Sequence, residues 1–490
     1  MPKLRLASCV AALVLAAAGS TLAAPPSALD LPQIGEPADN TLSPTEEKQL
    51  GARVMSQIYA QNYLIEDAEL SDYITTLGWK LVAASRNRGP EMTFFVIRDE
   101  RINAFALPGG YVGFNAGLLL AASNESEVAG VMGHELAHVT QRHIARTAED
   151  TEIASIATWL AVIAAIIAGS ADPDVVIGAL AIGQGVNYQR QVSYTRAHEQ
   201  EADRIGIQTM ARAGFDPQAM ASFFQKLEQQ SRLYGSGMPE ILRTHPLNTS
   251  RVAEARARAG ELGRPAAARE ELDFLLMQAR TRVLVADRPS QSLDYYGREL
   301  AAGHDSPQNR YGMALSLSRL GDARRATEIL APLAAQHPRQ PNIQLLSAQL
   351  AIQGGQPEAG LEQLARTLRL HPRYAPAILA YAEALAGAGR YDAARQLLIS
   401  REQAQGTQLA TYSLLSQVAR ESGNLAEASF QMANYLYLRG DAGNALAQLD
   451  AALRQPDLSP QELARLSAKR KEVRESLPSN WRPPRDGRQR

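Results

Sequence analysis

Residues 46–85 place apolar side chains at intervals of three and four, which predicts helix. The rhythm then changes. "MTFFVIRD" at 92–99 predicts a strand, and "INAFALPGGYVGFN" at 102–115 predicts two more short strands around Pro108, Gly109 and Gly110. A turn and a long helix follow in "AGLLLAASNESEVAGVMGHELAHVTQRHIARTAED". Ser123 or Asn124 can cap this helix, Glu125 and Glu127 suit the dipole of its first turn, and Val128, Val131, Met132, Leu136 and Val139 supply apolar positions. Polar residues on it therefore sit on a partly buried element.

From about 275 the chain turns to Ala, Leu, Gln and Arg, and a period appears. Gly321, Gly355, Gly389 and Gly423 are 34 residues apart, as are Pro338 and Pro372, while Ala314, Ala348 and Ala382 keep the same register. Two helices per 34 residues, with small residues at the crossing and Gly in the turn, predict a tetratricopeptide solenoid. Gly440 extends the stacking beyond the fourth unit, and a looser helical pair at 265–300 begins it. His337 and His371 share one repeat position before proline and read as turn residues; His304 reads as surface.

Two apolar segments stand outside these patterns. The start, "MPKLRLASCVAALVLAAAGSTLAAPPSALD", has Lys3 and Arg5, an apolar run and small residues, the layout of a secretory signal cleaved near Ala24. The run is short for a membrane anchor, and "LASC" precedes most of it, unlike a lipoprotein cleavage site. The second segment, "IATWLAVIAAIIAGSADPDVVIGALAIG" at 156–183, is broken by Gly169 and "DPD", so neither half suits a full span. It reads as a buried helical hairpin, or as a lid or a face for membrane or a membrane-protein client.

Composition narrows the class. A formal charge of -1 and 45% hydrophobic residues exclude a nucleic-acid binder or a disordered chain. Cys9, the one cysteine, falls inside the signal, so the mature chain has no disulfide, catalytic thiolate or cysteine metal site. With 490 residues, several domains are expected. The division is a signal at 1–24, a linker or wrapping arm at 25–45, an α+β, mostly helical domain with a small sheet at 46–265, an all-α repeat domain at 266–480 and a basic tail at 481–490.

The candidate chemistry lies in "GHELAHVTQRH", 133–143. His134 and His138 are four apart, so a helix sets them about 40° apart on one face, where both imidazoles can reach one zinc ion. Glu135, rotated by about 100°, lies beside such an ion and can take a proton from attacking water and pass it to the leaving amine. H-E-x-x-H alone is weak, and a third ligand is needed. "RAHEQEADRIG" at 196–206 offers Glu199 or Glu201, with Asp203 on the Glu199 face able to orient a ligating histidine through its second nitrogen. His143, nine residues after His134, is expected on the opposite side of the helix in a structural or surface role; His198 faces another direction from Glu199, with a substrate-side role left open.

"HELAH" at 134–138 followed by "EQEAD" at 199–203, with "NAFALPGG" at 103–110 before them, resembles the HtpX-like and Oma-like gluzincin metallopeptidases. The resemblance implies a zincin-type fold, one Zn²⁺ per chain, His134, His138 and Glu199 as ligands, Glu135 as general base and Asp203 as supporting carboxylate. It also places His245, in "THP", near the active site, either stabilising the oxyanion or occupying a coordination position until its loop moves; a plain turn histidine is the alternative. Asn103–Leu107 can present an edge to an extended peptide. With the signal and repeats, the resemblance implies a soluble or peripherally attached periplasmic zinc endopeptidase for unfolded or misassembled outer-membrane proteins. Its implied partners are the outer-membrane barrel assembly machinery and the lipopolysaccharide transport barrel. The competing expectation is a chaperone or assembly adaptor in which catalysis is secondary.

Overall fold

The computed structural model describes residues 42–87, 89–151, 196–234, 239–263, 265, 271–405, 408–456, 458–477 and 481. The expected signal at 1–24, most of the arm, the apolar segment 156–183 and the tail after 481 lie outside them.

Two helices open the described chain. α1 (Pro44–Ala60) starts at a capping box in which Ser43 and Glu46 satisfy each other's backbone N–H, and α2 (Ala68–Ala84) is capped by Asp67. The sheet follows the expected strands: β1 (Thr93–Ile97), β2 (Ala104–Leu107) and β3 (Tyr111–Asn115), in the order β1-β3-β2. β1 is parallel to β3, and β2 returns antiparallel through a turn at Pro108–Gly110. Among the described residues β2 is thus an unpaired edge on one side.

Next come α3 (Ala116–Ala121), α4 (Glu125–Thr140), α5 (His143–Thr151), α6 (Arg196–Arg212), α7 (Gln218–Tyr234), α8 (Ile241–Thr244) and α9 (Thr249–Leu262). Asn124 caps α4, whose residues are all buried between the sheet and the later helices. Its closest neighbour is α6. The two meet at Gly133 and Gly206, where a Cβ on Gly206 would lie 2.9 Å from the His134 nitrogen and 3.0 Å from the Gly133 carbonyl carbon. The helices therefore touch backbone to backbone, which only glycine permits. One core joins them: Val128, Met132 and Leu136 pack with Ile207, Met210 and Phe223.

The repeat array comprises α10 (Leu272–Val285), α11 (Pro289–Ala301), α12 (Pro307–Arg319), α13 (Ala323–Gln336), α14 (Pro341–Gln353) and α15 (Pro357–Leu370). It continues with α16 (Ala375–Gly387), α17 (Tyr391–Gln405), α18 (Leu409–Glu421), α19 (Leu425–Leu438), α20 (Ala442–Ala452) and α21 (Pro460–Ser476). The periodic glycines sit at its turns in the left-handed region, with φ of 81° at Gly321, 82° at Gly355, 73° at Gly389 and 85° at Gly423. His337 and His371 end α13 and α15.

The array is fastened to the first domain at both ends. Phe274 and Val285 of α10 belong to the same core as α4, while Leu276, Met277 and Val283 belong to the first repeats. The seam holds a buried polar cluster. Arg280 pairs with Asp67 through two 2.7 Å contacts and with Glu69 at 2.6 Å, and it donates to the Tyr311 hydroxyl at 2.9 Å. Asn342 donates to Glu69 at 2.8 Å. At the far end, Arg439 lies over the Tyr59 ring and pairs with Glu66 at 3.2 Å, and Gly440 abuts Ser56 of α1.

Candidate metal centre

α4 presents His134 and His138 from successive turns, α6 presents Glu199 from its first turn, and the residue ending α8 presents His245. One donor atom from each lies within 4.8 Å of the other three, and all four residues are buried. The nitrogens His134 Nε2 and His138 Nε2 are 3.0 Å apart. Glu199 Oε2 is 3.6 Å from His134 Nε2, and its Oε1 is 3.4 Å from His138 Nε2. His245 Nδ1 is 2.9 Å from Glu199 Oε1 and 3.3 Å from His134 Nε2. Imidazole nitrogens and a carboxylate converging in a buried space make a donor set that fits a divalent cation such as zinc.

The charges around the set favour the metal-binding forms of Glu199 and His138, whereas at His245 burial pulls the pKa down but Glu199 and Glu135 outweigh it and raise it. Burial pushes the Glu199 carboxyl up, but His245 and His138 outweigh it and hold it well below the usual range. Burial drives His138 well below the ordinary imidazole value, which keeps it neutral. Behind His134, Asp203 Oδ1 approaches Nδ1 at 2.9 Å. Arg251 then grips Asp203 with Nε at 2.7 Å and Nη2 at 2.8 Å, and reaches Glu199 through Nη1 at 2.7 Å. Burial alone would raise the Asp203 carboxyl; His134 and Arg251 lower it. Arg251 went unsingled in the sequence. Its only signal is its place six residues beyond His245, where Asn248 caps α9 and Pro246 accepts its Nη1 at 2.8 Å.

Glu135 is fully buried, with both carboxylate oxygens lacking a hydrogen-bond partner among the described residues. His245 Nε2 stands 3.5 Å from its Oε1. Burial raises its pKa, opposed by His245 and His134. A buried carboxylate beside the donor set, its pKa raised by burial, is suited to general-base work.

His143 departs from expectation. The helix does not run through it: α4 ends at Thr140, Arg142 adopts a left-handed φ of 52°, and a new helix begins at His143. Only an unbroken helix would carry His143 to the opposite face. The bend returns His143 to His138, with Nδ1 to Nδ1 at 2.9 Å. The rings of His198 and His143 stack at 4.4 Å. Glu201 is not among the grouped donors; it pairs with His143 at 3.1 Å and Arg146 at 2.9 Å. Burial, then His138, pushes the His143 pKa down to about 3.

A cavity of about 600 Å³ opens beside the centre, lined by His138, Ala106, Leu107, Lys48 and Tyr111 among others. It brings the β2 edge to the same side as His138. Asn103, just before β2, is buried.

A family model described as "Peptidase family M48" matches residues 69–259, which holds every grouped donor, and "Tetratricopeptide repeat" matches 351–411. The beta-barrel assembly-enhancing protease of Yersinia pestis is 39% identical over 329 residues, covering 66% of this chain and 67% of that one. The chain belongs to peptidase family M48. The Escherichia coli K12 protein of the same name is 40% identical over 314 residues, 64% of each chain, so the match spans slightly less than two thirds of that relative. More distant is a mitochondrial metalloendopeptidase OMA1 of Arabidopsis thaliana, 31% identical over 171 residues, 34% of this chain and 32% of that one.

Proposed function

We propose that this chain is a periplasmic zinc metalloendopeptidase that cleaves misfolded or stalled outer-membrane proteins and assists their assembly. The observation that carries the reading is the convergence of His134, His138 and Glu199 in one buried group with the fully buried carboxylate of Glu135 beside it. Zinc, when bound, supplies Lewis-acid polarisation of the water and of the scissile carbonyl. The chain's residues do the rest. His134, His138 and Glu199 hold the ion, Asp203 fixes the His134 ring, and Glu135 takes the water proton and delivers it to the departing amine nitrogen. The β2 edge offers backbone groups to an extended substrate beside His138.

His245 completes the ligand group as a fourth donor and closes the centre. Its ring lies against both Glu199 and Glu135, the two groups that the reaction needs free. Cleavage then requires the 239–249 segment to withdraw, which makes access the regulated step. The second role for His245, stabilising the oxyanion, becomes available only after that movement.

The location and clients rest on the signal-like start, the cysteine-free remainder and the name carried by the relatives, which speaks of beta-barrel assembly. Among the described residues no helix is long and apolar enough to cross a membrane. The barrel assembly machinery and the lipopolysaccharide transport barrel are the partners proposed for the repeat array. An adaptor role is favoured independently by that array, which can hold a partner without chemistry.

Replacing Glu135→Gln tests the reading. We expect cleavage of an unfolded outer-membrane protein to fall by about 10²-fold or more while zinc content is unchanged. Wild-type cleavage by E135Q would overturn the catalytic assignment. Full barrel assembly with no cleavage would show that the adaptor role stands by itself.

A further inference from the structure

The two histidines of α4 are treated alike on their outer sides, by different means. At His134 the support is direct: Nδ1 meets Asp203 at 2.9 Å, and Arg251 braces Asp203. At His138 the described residue against Nδ1 is not a carboxylate. Instead His143 Nδ1 stands 2.9 Å from it, His143 Nε2 stands 3.1 Å from Glu201 Oε2, and Arg146 Nη1 braces the same oxygen at 2.9 Å. His198, stacked on His143 at 4.4 Å and 11° between planes, limits rotation of the intermediate ring.

The proton positions follow from this order. His138 points Nε2 at the donor group, so that nitrogen presents its lone pair and the ring proton sits on Nδ1. Nδ1–H then donates to His143 Nδ1, which must be an acceptor. The proton of His143 is left on Nε2 and donates to the Glu201 carboxylate, whose charge Arg146 balances. Each member has one role compatible with the next.

We infer that His143, anchored by Glu201 and Arg146, is a positioning residue that fixes the tautomer and ring angle of His138 for metal binding, the counterpart of Asp203 and Arg251 at His134. The inference rests on the proposal that His134, His138 and Glu199 hold zinc. It gives a function to the kink at Arg142, since an unbroken helix would carry His143 away from His138.

The test is zinc affinity of the full chain, measured by competition with a chromogenic chelator, together with the visible absorption of the cobalt-substituted protein. His143→Leu removes the acceptor and is expected to weaken zinc binding by about 10- to 100-fold and alter the cobalt spectrum. His143→Asn, whose amide oxygen can stand where Nδ1 stood, is expected to recover affinity to within about threefold of wild type. Glu201→Ala, at a partly exposed position, is expected to give an intermediate loss. The positioning role is overturned if folded H143L keeps wild-type affinity and spectrum, or if H143N is no better than H143L. Should neither His143 variant fold, wild-type affinity in E201A overturns it. Glu199→Ala separates the two levels: if that variant binds zinc as wild type does, the ligand assignment itself fails, whatever His143 does.

Discussion

At the scale of residues, the proposed gate is His245. Its Nδ1 sits 2.9 Å from Glu199, and its Nε2 faces Glu135, so the ring covers both a proposed ligand and the proposed base. Removing it with His245→Ala is expected to raise the initial rate of peptide cleavage by about tenfold, because a state that was mostly closed becomes mostly open. A fluorogenic unfolded substrate reads this directly. A fall of about 10²-fold would instead assign His245 to the oxyanion. The sequence made His134, His138 and Glu135 legible because helix spacing alone brings the histidines together. It left Glu199 and Glu201 open, since both are carboxylates on one short stretch. Arg251 was invisible for a different reason: its partners Glu199 and Asp203 are some fifty positions earlier, and no local pattern announces a contact made only by folding.

Between elements, the seam of α2 with α10 shows what periodicity cannot report. The strands, the capped α4 and the 34-residue repeats were all readable from local spacing. The Asp67, Glu69 and Arg280 cluster was not, because Arg280 lies more than two hundred residues beyond the two carboxylates and each member looks ordinary in place. The same limit hid the break after Thr140, where Arg142 takes a left-handed turn with neither Gly nor Pro to mark it. Burial pulls the Asp67 carboxyl upward, but Arg280 outweighs burial and the net shift is downward. Its contribution is therefore complete above the unfolded carboxylate pKa of roughly 3.9 and is lost as pH falls through the lower folded value. Asp67→Asn is expected to cost about 3 kcal/mol near neutral pH, since it leaves Arg280 buried with one partner fewer. Chemical denaturation at several pH values should show this difference shrinking in acid below about pH 4.

Across the whole molecule, catalytic and repeat parts form one folding problem. α10 supplies Phe274 and Val285 to the core of the first domain, so a boundary at 265 removes residues that the metal-bearing half needs. A piece ending there is expected to lose cooperative thermal unfolding and bind a hydrophobic dye. Extending the same piece through Val285 is expected to recover part of the cooperativity, with calorimetry as the check. The contacts of Arg439 and Gly440 with α1 close the far end as well, and α1 carries Lys48 on the wall of the cavity beside His138. A partner that bends the array acts on a structure tied to that wall at two places.

The crossing of α4 and α6 has a practical consequence for anyone who wishes to retask this scaffold. Because Gly133 and Gly206 let main chain meet main chain, the distance between the histidine-bearing and carboxylate-bearing helices is already at its minimum. Exchanging ligands changes the chemical preference of the centre but not its gauge. Accommodation of a broader cation such as calcium, with its bonds of roughly 2.3–2.6 Å and larger ligand number, has to begin by spacing the helices at positions 133 and 206.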